Sequence, residues 1–177
     1  MNVLVRPEIA GVRRASTRGT GKVRPMHVAL GSDHAGYDLK ALLHSTLTSW
    51  GHDVVDVGTH RTDESVDYPD YGEAVGRAVV DGRAELGVAV CGSGIGIAIA
   101  ANKVSGVRAA LVHDVTSARL AREHNHANVL CLGARLVGPA VAVDALGAWL
   151  AAVPEERHLE RIAKLTTLDE RRHEEER

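Results

Sequence analysis

The chain has 177 residues and a formal net charge of −2, long enough for one domain with a real core and without the charge that draws a protein to nucleic acid or anionic membranes. Hydrophobic residues make up 45% of it, yet Phe is absent and aromatics total 3%, so the core must be Val, Leu, Ile and Ala, as where helices cover both faces of a parallel sheet. No apolar run reaches the roughly 20 residues of a membrane span. Two cysteines, Cys91 and Cys131, do not make a disulfide framework, and a cytoplasmic location is expected.

Residues 1–25 carry Arg6, Arg13, Arg14, Arg18, Lys22 and Arg24 against one acid, Glu8. The segment lacks the apolar core of a secretory signal. It reads as a disordered arm, or as sequence upstream of a functional start at Met26, rather than as an Arg- and Ser-containing transit peptide. An α/β domain is expected over 26–153.

His27–Gly31 reads as a short apolar strand, with Ser32 or Asp33 capping the next helix. Leu39, Leu42, Leu43, Leu47 and Trp50 recur at helical spacing, and Gly51 stops that helix. Val54, Val55 and Val57 mark a second strand, and Gly58–Pro69 a polar loop long enough to carry function. A helix through Ala74, Val75, Ala78 and Val79 closes at Gly82. Leu86–Val90 is the third strand, with a helix over 94–104; Val107–Val112 is the fourth, with a helix from Val115 to His124. Val129–Leu132 and Pro139–Val153 form the fifth pair. Five βα units predict a doubly wound five-stranded parallel sheet with right-handed crossovers. The segment 154–177 predicts a C-terminal helical extension whose narrow stripe of Leu159, Ile162, Leu165 and Leu168 suggests docking on another surface, taken here as the partner subunit.

Ligands of such sheets bind beyond the carboxyl ends of the strands. Those ends gather Ser32, Asp33 and His34, the loop with Tyr68, Cys91 to Gly96, His113 with Asp114, and Gly133 to Arg135. In Cys91-Gly-Ser-Gly-Ile-Gly96, a buried strand ends in a thiol and three alternating glycines. A turn of this kind exposes backbone N–H groups as an anion seat, and the thiolate it favours is the reactive form of cysteine. The chain therefore looks built to hold an anionic oxygen beside a sulfur base or nucleophile. Taken singly, Asp33 is most simply a helix cap, His34 a surface residue and Cys91 a small buried hydrophobe. The run is not a P-loop, because Gly96 is followed by Ile97 and Ala98, and it breaks the dinucleotide fingerprint at its last position. His124 and His126 point to different helix faces, so a shared metal with Cys131 is not expected.

Six motifs occur in register: Gly31-Ser-Asp-His-Ala-Gly36, Asp67-Tyr68-Pro69, Cys91-Gly-Ser-Gly-Ile-Gly96, Ala100-Ala-Asn-Lys103, Glu123-His-Asn125 and Arg157-His158-x-x-Arg161. Together, over residues 26–172, the chain resembles the type B ribose-5-phosphate isomerases and the wider family that includes galactose-6-phosphate isomerase subunits. The resemblance implies an aldose–ketose isomerase of the non-oxidative pentose phosphate pathway, converting ribose 5-phosphate and ribulose 5-phosphate. It implies a homodimer or dimer of dimers with shared active sites, and no metal or organic cofactor. Carried over by position, Cys91 takes the C2 proton, Gly92, Ser93, Gly94, Ile95 and Gly96 hold the enediolate oxygen, and Ser93 shuttles a hydroxyl proton. His124, facing the partner's Cys91, opens the furanose ring; Asp33, His34, Tyr68 and Asn125 bind the sugar; Arg135, Arg157 and Arg161 clamp the phosphate. Ser93 stands where many relatives have Thr, and the hydroxyl is kept. A branch without the thiol uses a Glu on the following helix; Cys91 and Ile97 put this chain with the thiol branch. An isomerase of a 6-phosphorylated hexose (allose or galactose 6-phosphate) and a non-catalytic sugar-phosphate-binding protein are the alternatives.

Overall fold

The structure, a computed structural model, describes residues 24–175. Apart from Arg24 and Pro25, the expected N-terminal arm lies outside the described residues.

Five strands, β1 (His27–Ser32), β2 (Asp53–Asp56), β3 (Leu86–Cys91), β4 (Ala109–Leu111) and β5 (Val129–Gly133), pair in the order β2-β1-β3-β5-β4. Every pair is parallel. The connecting helices are α1 (Tyr37–Ser49), α2 (Tyr68–Val80), α3 (Ile95–Ala101), α4 (Val115–Asn125) and α5 (Pro139–Ala151), followed by α6 (Leu159–Glu175). This is the doubly wound α/β fold expected. Among the described residues, no helix is long and apolar enough to cross a membrane.

Alternation along the strands divides the core in two. Val28, Leu30, Val88, Val90, Leu130 and Leu132 face α1, α4 and α5, with Leu43, Ala118, Leu146 and Trp149 packed on them. Ala29, Ala89, Cys91, Val129 and Cys131 face α2 and α3, with Val75, Ala78, Ile97 and Ala101. The second face is made of smaller residues, and α2 and α3 pack close upon it. Cys91 therefore ends its strand on the α2/α3 side. Burying these aliphatic side chains contributes about 1.5–3 kcal/mol each for the larger ones, the main drive for the fold.

Several boundaries differ from expectation. Helix α2 starts at Tyr68 rather than near Ala74, because Pro69 occupies the first turn, where its missing N–H is harmless and its φ is preset. Helix α3 stops at Ala101 rather than Val104: the Asn102 side chain donates to Ala98 O (3.0 Å) and Ala109 O (2.9 Å) and accepts from Ala109 N (2.8 Å), clipping α3 to β4. Strand β4 has three residues instead of six, being an edge paired only with β5. Leu42 and Trp50, expected in the core, are 38% and 42% exposed. On α6, Ile162 is buried within its own chain and Asp169 Oδ2 accepts from Gly106 N (2.8 Å), while Leu165 and Leu168 stay exposed.

Candidate active site

The carboxyl edge places most of the predicted residues together. Cys91 lies opposite Gly133 at the end of β5, and Ala134 N and Arg135 N donate to Cys91 O and Gly92 O, each at 2.9 Å. On the other side Asp33 N donates to Val90 O at 3.3 Å. The thiol itself is buried, and Gly94 N–H donates to its Sγ at 3.1 Å. Gly94 turns with φ +77°, and a Cβ there would stand 2.8 Å from Leu132 C and 2.9 Å from Gly133 N, so only glycine fits. Ile95 N–H donates to Ser93 Oγ at 3.2 Å. Two donors of the expected anion seat thus bond inside the loop and hold the thiol and the hydroxyl in place.

Two side chains wall the loop. The Arg135 guanidinium lies over Gly92, 3.3 Å from where a Cβ would stand, and the Tyr68 ring lies over Gly96 at 2.6 Å from the same notional atom. Val66 N–H donates to His34 Nδ1 at 3.1 Å, which ties the 57–67 loop to the turn after β1 and fixes the ring. Asp33 is buried and Oδ1 accepts from Gly36 N at 2.9 Å, the cap reading of that residue. Asp114 also caps: its carboxylate accepts from Ser117 N at 2.8 Å, which holds its pKa below the usual carboxylate range.

His124 and Asn125 are elsewhere. They end α4, whose C-terminus leads into Val129 at the start of β5, whereas Cys91 pairs with Gly133 at its finish. Four residues of strand separate the two levels by about 13 Å. The sequence brought Cys91, His34, Tyr68 and Arg135 to one edge and left His124, Asn125, Arg157 and Arg161 at the other.

The amino edge has its own cluster. Arg157 donates to Glu155 Oε2, and its Nη2 lies 3.4 Å from His124 Nε2. His124 Nε2 is 3.9 Å and His158 Nε2 3.4 Å from the same carboxylate oxygen. The Arg157 hydrogen bond holds the Glu155 carboxyl low, and burial, then Arg157, holds His158 below the ordinary imidazole range. His126 caps α4 at φ 51°, buried, with its Nε2 3.2 Å from Glu155 O. His124, His126 and Cys131 do not converge, since Cys131 is buried mid-strand and burial pushes its thiol up. Glu155 was missed from sequence because only tertiary folding, through Glu155 N donating to Glu123 O at 2.9 Å, brings it to His124.

Residues 28–165 match the family described as Ribose/Galactose Isomerase. The chain belongs to this family. Ribose-5-phosphate isomerase B of Escherichia coli is 42% identical over 146 residues, 82% of this chain and 97% of that one. D-erythrulose-4-phosphate isomerase of Pectobacterium atrosepticum is 43% identical over 127 residues, 72% and 84% of the two chains. The solved structure of Clostridium thermocellum ribose-5-phosphate isomerase B superposes with a TM-score of 0.81 at 46% identity, over 82% of this chain and 99% of the other. The chain is accordingly a sugar-phosphate isomerase of this family, and its doubly wound sheet is the family fold.

Proposed function

We propose that the enzyme interconverts D-ribose 5-phosphate and D-ribulose 5-phosphate through an enediolate, with Cys91 as the base. The observation that carries this reading is the thiol at the end of β3 with Gly94 N–H donating to Sγ at 3.1 Å. The thiolate takes the proton from C2, leaving the electron pair in the enediolate, and returns it to C1 for the ketose. The N–H groups of the Gly92–Gly96 turn other than those of Gly94 and Ile95, which bond Cys91 Sγ and Ser93 Oγ, face the developing oxyanion, where preorganised donors act most strongly. Ser93, whose hydroxyl stands beside the thiol loop, moves a proton between O1 and O2. His34, Tyr68 and Asp33 bound the sugar on the β1 side, and Arg135 reaches the phosphate across Gly92.

The two edges support a site completed by a second copy. His124 opens the furanose ring by general acid–base action, its imidazole able both to give and to take a proton. Because it stands about 13 Å up the sheet from Cys91 in its own chain, it serves the Cys91 of a second subunit, with Asn125 holding the sugar and Arg157 and Arg161 reaching the phosphate. The exposed Leu165 and Leu168 of α6 then find cover on that subunit. Residues 26–153 form the isomerase domain and 154–177 the extension that reaches the partner of a homodimer, and two buried free thiols suit a cytoplasmic setting.

The family description, which names galactose beside ribose, and the relative named for a tetrose phosphate support a second reading within the same chemistry, a different phosphorylated sugar such as a hexose 6-phosphate, decided by the loop from Arg61 to Tyr68. A panel of pentose, tetrose and hexose phosphates assayed as kcat/KM tests this. Ribose 5-phosphate should lead; a hexose 6-phosphate turned over tenfold better would replace it. No turnover of any member, with binding retained, would favour a binding protein.

A further inference from the structure

The amino-edge cluster carries one more imidazole than ring opening needs. One ligand atom from each of His124, Glu155 and His158 falls within 4.8 Å of the others. The two imidazoles face each other with centroids 4.7 Å apart at 46°. His158 is only 8% exposed, and its Nε2 makes no hydrogen bond, its nearest charged neighbour being Glu155 Oε2 at 3.4 Å. A buried ring nitrogen without a hydrogen bond costs free energy that a bound ligand would relieve. The backbone sets the arrangement in advance, with Glu155 N on Glu123 O at 2.9 Å and His126 Nε2 3.2 Å from Glu155 O.

Two imidazole nitrogens and a carboxylate oxygen are the donor set of a three-ligand zinc site with an open fourth position. Bonds of about 2.0–2.1 Å at tetrahedral angles put ligand atoms roughly 3.4 Å apart. His158 and Glu155 are at 3.4 Å already, His124 is 3.9 Å from the same oxygen, and with every pair of ligand atoms within 4.8 Å the two rings must rotate inward to close the third edge. We propose that His124, Glu155 and His158 form a binding site for a divalent transition-metal ion, zinc foremost, and that its occupancy switches turnover off. The competing cation is Arg157, whose guanidinium is exposed and can swing outward when the ion takes Glu155. Magnesium and calcium, which prefer all-oxygen shells, do not compete. With its Nε2 lone pair on the ion, His124 cannot exchange protons with a sugar. Binding stands on the geometry alone; inhibition rests on the role proposed for His124 above.

The test uses the full chain without an affinity tag, titrated with zinc against a chromophoric chelator, and with cobalt for its visible absorption. One ion per chain and the absorption of a tetrahedral cobalt site are expected, untouched by excess magnesium. Glu155→Gln and His158→Gln, each checked for native circular dichroism, should weaken zinc by at least about tenfold, since losing even an outer-sphere partner costs 10–100-fold. The zinc concentration for half-inhibition should shift by the same factor. Absence of stoichiometric binding overturns the site, as does binding that survives both substitutions, which is the behaviour of zinc held on Cys91. Zinc that binds here without lowering turnover overturns the inhibitory half of the proposal and the role of His124, and supports the site.

Discussion

At the carboxyl edge of the sheet Cys91 is held by main chain: the Gly94 N–H on its sulfur, Ala134 on its carbonyl, and a loop that closes only because Gly94 has no Cβ. At the amino edge His124 is held by side chains, sharing Glu155 with Arg157 and His158, and is partly open to solvent. Main-chain contacts cannot be rearranged without moving strands, whereas charged side chains can exchange partners at little cost. The proposed base thus sits on a rigid support, and the proposed ring-opening group on one free to exchange partners. Each substitution below either breaks that contrast or sharpens it.

The largest effect is expected at the rigid edge. Cys91→Ala should lower kcat by about 10²–10⁴-fold, the usual loss for a general base, with KM little changed. Near-normal turnover would remove Cys91 from the chemistry.

Gly94→Ala comes next and acts through structure. Its Cβ would stand 2.5 Å from Leu111 Cδ1 and 2.8 Å from Leu132 C at a positive φ. Backbone strain and overpacking together should cost about 2–4 kcal/mol of stability, read by denaturant unfolding. A stable variant would show that the loop is not rigid.

The three atoms nearest a Cβ at Gly96 all belong to the Tyr68 ring, which is 43% exposed and can move aside in Gly96→Ala. A rise in KM of severalfold, on the order of 1 kcal/mol, is expected with stability near wild type. If stability falls as far as in Gly94→Ala, Tyr68 is part of the scaffold.

Helix α4 spans the two edges, and Asp114 caps its carboxyl-edge end. Because the Ser117 N–H lowers its folded pKa, Asp114 adds stability that is present above the unfolded value near 3.8 and lost as pH falls through the folded pKa. Asp114→Asn keeps a cap but not the charge, so its stability should fall less than that of the wild type between about pH 4 and 3. Parallel acid limbs would show that the cap works without the charge.

The fold was legible because apolar runs such as Leu86–Cys91 and helical spacings such as Leu39, Leu43 and Leu47 each have one reading on a two-faced sheet. The carboxyl-edge site followed, since strand ends converge by topology. What escaped depended on tertiary contacts: Asn102 clipping α3 to β4, and Glu155 drawn to His124 by a backbone bond 32 residues apart in sequence, from Glu123 to Glu155. Pro69 misled because it marks a loop's end and a helix's first turn equally well.

The central claim, that one site takes Cys91 from one chain and His124 from another, is tested by complementation. Cys91→Ala and His124→Ala chains are each expected to be nearly inactive. Mixed after dissociation, about half of the dimers are hybrids, and each hybrid holds one intact and one doubly altered site. The mixture should therefore regain up to about a quarter of wild-type activity. A mixture that stays inactive, with hybrids confirmed by mass, would contradict the shared site and require both residues to serve a site within one chain.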